Sequence, residues 1–142
     1  MGILSDLFVS THEDASLYQE RYLARALKSS AYQRVEYKGI TDLELGTLWA
    51  VVQGDEWDIN VHRLNQVAFG AGGETWLFRF PDAFVRSLQS LDEARISRAS
   101  ELWASTEELK CAPTYLMPVV SDLNRLSKLA TGDKGLFLWG SL

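Results

Sequence analysis

The densest run of reactive groups is the acidic segment Asp55-Glu56-Trp57-Asp58, followed four residues on by His62, one of only two histidines in the chain. Carboxylates beside an imidazole can do general acid–base work where a pocket shifts their pKa values. The four-residue spacing of Asp58 and His62 would also put two metal ligands on one helix face. Two ligands do not make a site, and such a pair is more often a capping Asp58 beside an exposed His62. Trp57 offers a different chemistry, because an aromatic flanked by carboxylates suits a binding anchor aimed at a basic protein partner. The opposing reading folds Trp57 back as a staple over the neighbouring helices, since large aromatics seldom stay exposed.

Other candidates carry less. Cys111, in Leu109-Lys110-Cys111-Ala112-Pro113, stands in no catalytic signature and reads as a small, partly buried thiol. No serine occupies a Gly-x-Ser-x-Gly elbow. Gly70-Ala71-Gly72-Gly73 has the composition of a phosphate loop, but Glu74 and a strand-like run follow where such a loop needs a helix. One cysteine excludes an internal disulfide and a cysteine-based zinc site, and two histidines exclude a His-rich metal site. No cofactor is expected, and no residue is assigned a catalytic role.

The elements that must position these groups fit one domain spanning residues 1–142, a common domain length. Hydrophobic residues at 46% and charged residues at 23% are ordinary for a globular protein. The net charge of -5 comes without any run of lysine or arginine, which argues against nucleic acid. The amino terminus lacks the basic and apolar regions of a signal peptide, and no apolar run is long enough to span a membrane. A cytoplasmic protein with no membrane partner is expected; the oligomeric state is not legible.

Along the chain, Leu7 to Val9 reads as a short strand. Ser10 and Glu13 form a capping-box pattern before a helix that runs towards Ser29-Ser30. Val35 to Lys38 alternates as a strand. Thr41 and Glu44 form a second capping box, opening a helix that Gly54 closes. Asp58 could cap a short helix through Leu64. Gln66 to Phe69 and Thr75 to Phe80 make a hairpin around the glycine-rich loop. The second run places Trp76, Phe78 and Phe80 on one side and Thr75, Leu77 and Arg79 on the other. Pro81 suits the first position of the next helix, Asp92 starts another, and Leu116, Val119, Leu123, Leu126 and Ala130 stripe a long one that includes Pro118. Leu136 to Trp139 is apolar on both faces and so belongs in the middle of a sheet. The class is α+β: about five helices packed on a small sheet that contains a glycine-looped hairpin and a buried C-terminal strand. The expected core is Leu45, Leu48, Trp49, Val52, Phe78, Phe84, Leu88, Trp103, Leu123, Leu126 and Phe137.

The order of Ser90-Leu91-Asp92-Glu93-Ala94, a Trp-bearing helix, the break at Pro113, the helix through Leu123 and Leu126, and the strand Leu136-Phe137-Leu138-Trp139 resembles the YfbM-like family of small uncharacterised bacterial proteins. The helix from Asp42 to Gly54, with Leu48-Trp49 before its closing glycine, looks like that family's early helix too. The glycine-rich hairpin departs from the pattern, as does the short segment between the first two helices. The resemblance implies a compact α+β fold and a bacterial source, and it implies no activity.

Two functional classes follow. One is a non-catalytic interaction module, of adaptor or immunity type, that uses Asp55, Glu56, Trp57, Asp58 and His62 to bind a basic protein. The other is a small enzyme or ligand-binding protein using Asp55, Glu56 and Asp58 with His62. The absence of a catalytic constellation favours the first, and an enzyme is the less expected outcome.

Overall fold

The computed structural model describes residues 3–24, 32–106, 109 and 111–142. Five strands form one antiparallel sheet: β1 (Leu4–Thr11), β2 (Gln33–Lys38), β3 (Asn65–Phe69), β4 (Thr75–Arg79) and β5 (Lys134–Ser141), in the order β2-β1-β5-β4-β3. Among the described residues the α-helices are α1 (His12–Ser16), α2 (Tyr18–Leu23), α3 (Asp42–Gln53), α4 (Asp82–Gln89), α5 (Glu93–Ala104) and α6 (Pro113–Leu129). This is the expected α+β architecture, with the C-terminal strand at the centre of the sheet.

Strand alternation divides the sheet into two covered faces. Leu7 pairs with Leu138 and Val9 with Leu136, and these join Phe78 and Phe80 beneath α3, α4, α5 and α6. Phe8 pairs with Phe137, and with Leu77 and Trp139 they pack against Ala15 and Tyr18 of the short helices α1 and α2. Phe137 therefore belongs to the second, smaller core and not to the main one. Ten of the eleven expected core residues are buried; Val52 is only partly covered, at the edge of the main cluster.

Local chemistry explains most element boundaries. The Thr41–Glu44 capping box opens α3, and Gly54, at φ +78°, closes it in the left-handed conformation that glycine adopts without strain. Asp92 caps α5 by accepting from the Arg95 N–H at 2.8 Å. Pro113 takes the first position of α6, and Pro118 lies inside that helix without ending it. Asn124, buried on α6, donates to the carbonyls of Leu88 (2.7 Å) and Leu91 (3.2 Å), tying α6 to the end of α4 and the turn that follows it.

Several boundaries differ from the sequence expectation. β1 runs the full length from Leu4, so Ser10 lies inside it and Thr11 caps α1 instead, accepting from the Asp14 N–H. The first helix breaks at Leu17 into α1 and α2. Its expected continuation towards Ser29-Ser30 lies outside the described residues. Pro81 is the residue before α4 and not its first helical position.

Candidate interaction face

The start of α3 is fixed by β1. Ser5 Oγ donates to the Ile40 carbonyl at 2.6 Å and accepts from the Ile40 N–H at 3.0 Å, all of it buried. This two-way bond holds the turn that leads into Thr41, Asp42 and Leu43.

From the end of α3 the chain returns to β3 through residues 55–64, passing over α3 at Gly46. The His62 carbonyl oxygen lies 2.3 Å from where a β-carbon on Gly46 would stand, and Trp57 Nε1 lies 3.5 Å from it. Only a residue without a side chain permits that approach. The segment contains no helix, contrary to the short one expected from Asp58 through Leu64. Asp58 instead builds a turn: its Oδ1 accepts from the Asn60 N–H at 2.9 Å, and its carbonyl accepts from the N–H groups of Val61 (3.0 Å) and His62 (2.7 Å).

His62 is buried, not exposed. Its Nδ1 accepts from the Asp58 N–H at 3.0 Å and its Nε2 faces Gln53 Oε1 at 2.9 Å, while the ring meets Trp49 edge-on at 5.4 Å. Nδ1 accepts, so the proton of the neutral ring sits on Nε2 and is donated to Gln53. Both nitrogens are thus committed to holding the connection on α3, and neither is free to exchange a proton with a substrate. The Asp58 carboxylate faces its own turn and not the imidazole. Among the described residues, no three His, Cys, Asp or Glu side chains converge as metal ligands.

Trp57 combines the two sequence readings. Its indole nitrogen rests near α3, yet the side chain remains 40% exposed. Asp55, Glu56 and Asp58 around it are exposed as well. Beyond them, an open groove of about 570 Å³ is bordered by Asp42 and Leu43 of α3, Ile59 of the connection, Phe69 of β3, and Phe78 at its base. Leu43, Ile59 and Phe69 are all exposed, and so is Val61, two residues after Ile59. Arg63 also lines the groove, beside the buried His62. Partial burial, with Glu44 close by, pushes the Asp42 carboxyl above its ordinary value. Among the described residues, no ion pair engages Asp42, Asp55, Glu56 or Asp58.

Leu43, Ile59 and Phe69 were not singled out from sequence, because each is an ordinary residue until α3, the connection and β3 bring them together. A buried polar cluster on the other side of the sheet was missed for the same reason. Asp6 Oδ2 accepts from Tyr18 Oη at 2.7 Å and from Arg34 Nη2 at 3.1 Å. Arg34 Nε also donates to Tyr18 Oη at 2.8 Å, and Arg34 Nη2 to Glu36 at 2.6 Å. Burial raises the Asp6 carboxyl despite these donors, and burial with the Asp6 bond raises the Tyr18 phenol. The cluster's groups satisfy one another, as a structural network does. Cys111 is a partly buried free thiol, as expected, and the glycine-rich segment is a hairpin loop containing a short 3-10 turn, with no helix after it to cradle phosphate.

Comparison of the chain with protein-family models, with curated proteins and with solved structures gives no match in any of the three.

Proposed function

We propose that the protein is a non-catalytic interaction module, of adaptor or immunity type, whose face of Leu43, Trp57, Ile59 and Phe69 binds a basic protein. The observation that carries this reading is the groove of about 570 Å³ where exposed apolar side chains meet Asp42, close to the acidic run Asp55 to Asp58. Contiguous exposed apolar surface with a polar rim is characteristic of binding sites. Exposed carboxylates speed and orient the approach of a positively charged surface. The net charge of -5 adds to that field.

The alternative of an enzyme using the acidic segment with His62 gains nothing from the geometry, since the imidazole is buried and doubly bonded. A cytoplasmic location and kinship with the YfbM-like family belong to the same proposal. The first is supported by the single cysteine, and by the lack, among the described residues, of a helix long and apolar enough to cross a membrane.

The test is affinity capture from native lysate with wild type and with a folded Trp57→Ala/Ile59→Ser/Phe69→Ser variant. The proposal expects a basic protein retained by wild type and lost by the variant. A partner retained equally by both places the binding surface elsewhere, and capture of nothing by either removes the support for an interaction role.

A further inference from the structure

The two edges of the sheet are unlike. β2, at one edge, carries Arg34, Glu36 and Lys38, the charged side chains with which natural edges discourage pairing. β3, at the other, reads Asn65-Gln66-Val67-Ala68-Phe69 and has no charged residue and no proline. Four of its five residues are exposed and Val67 is half-buried. Among the described residues, no backbone hydrogen bond from a loop or helix reaches residues 65–69. Among the described residues, the guard this edge shows is a bulge in the pairing between Gln66 and Ala68. The groove adjoins the same strand: Asn65, Gln66 and Phe69 line it together with Asp42, Leu43 and Ile59.

Resting on the basic-partner reading, we infer that the open edge of β3 takes an extended segment of that partner as a sixth strand, with apolar side chains entering the groove and Lys or Arg meeting the carboxylates. In such strand addition the ladder bonds supply affinity, and pockets for alternate side chains supply specificity. Leu43, Ile59, Phe69 and Phe78 form the apolar pocket, while Asp42 inside it and the nearby Asp55, Glu56 and Asp58 select the charge. Charge also decides between occupants. A second copy paired edge to edge through β3 would bring two sets of these carboxylates towards each other, whereas a basic segment neutralises one set.

The experiment titrates wild-type protein with three short blocked peptides, read by calorimetry and by amide NMR shifts. The first alternates Lys with Val and Ile, the second replaces Lys by Glu, and the third is the Lys peptide with alternate backbone nitrogens methylated. Methylation keeps charge and side chains but removes ladder donors. Losing two ladder donors weakens binding by about tenfold or more. The Lys peptide is expected to bind with shifts centred on residues 65–69, the Glu peptide not to bind, and the methylated peptide to bind at least about tenfold more weakly. Equal binding of the Lys peptide and its methylated form overturns strand addition while leaving a basic partner in place. Failure of the Lys peptide to bind, or shifts at residues 65–69 that grow with protein concentration alone, also overturns it. The capture experiment then judges the interaction role separately.

Discussion

Gly46 shows how one residue sets the candidate face. At an ordinary helix position, replacing glycine by alanine gains up to about 1 kcal/mol. Here the new methyl would meet the His62 carbonyl at 2.3 Å, and that backbone is itself held by His62 and Asp58. Gly46→Ala should therefore destabilise the protein by roughly 1–3 kcal/mol, as overpacking does, and move the Trp57 fluorescence. Denaturant titration checks the first effect, and unchanged stability would show that the connection does not rest on α3 as described. Asp6 gives a second residue-scale outcome. Its folded-state value is raised above 3.8, so between those two values the folded chain binds more protons than the unfolded one. Stability from this group accordingly falls as pH rises through that window. Asp6→Asn should remove that fall, seen as a flatter pH dependence than wild type in parallel denaturation series. Asp42 predicts a linkage of the same origin. A basic group brought to its raised carboxyl lowers the value again, so partner affinity should increase as pH rises through the window, and Asp42→Asn should abolish the increase.

Among elements, legibility followed how local the determinants are. The whole signature of α3 lies within fourteen residues, Thr41 to Gly54, and both of its ends were readable. The cap of α1 was misplaced by one residue because Ser10 and Thr11 can both accept from a helix amide. The pairing of β1 with β5 as far as Thr11, which no local pattern reveals, leaves Thr11 at the junction. Asp58 carried a good capping pattern for a helix to Leu64. The connection must instead cross α3, and the bonds of His62 to Asp58 and Gln53 outweigh that propensity. The acidic half of the candidate site was therefore visible in one stretch of sequence, while Leu43, Ile59 and Phe69 were not. Helix stripes were more dependable than positions at helix margins. Leu123→Ala, in the fully buried stripe of α6, should cost about 2–5 kcal/mol through the cavity it leaves. Val52→Ala, at the edge of the core, should cost clearly less; equal losses in thermal or denaturant unfolding would contradict this division of the core.

At the scale of the molecule, the helix-covered sheet is the scaffold, and the end of the molecule formed by α3, the connection and β3 is the proposed working surface. Association driven by exposed carboxylates is screened by salt, whereas a fold held by two apolar clusters is not. The rate of partner association should therefore fall steeply as salt rises, with stability little changed, when both are followed by stopped-flow and denaturant titration. This end, and no other exposed aromatic surface, is proposed to meet a basic protein. Phe69 and Tyr115 allow a direct comparison, because they are 56% and 75% exposed and only Phe69 borders the groove. Each is replaced in turn by a photoreactive phenylalanine, and the protein is irradiated in native lysate. A covalent adduct with a basic protein is expected from position 69 and none from position 115. Equal adducts from both positions, or none from position 69, would contradict it.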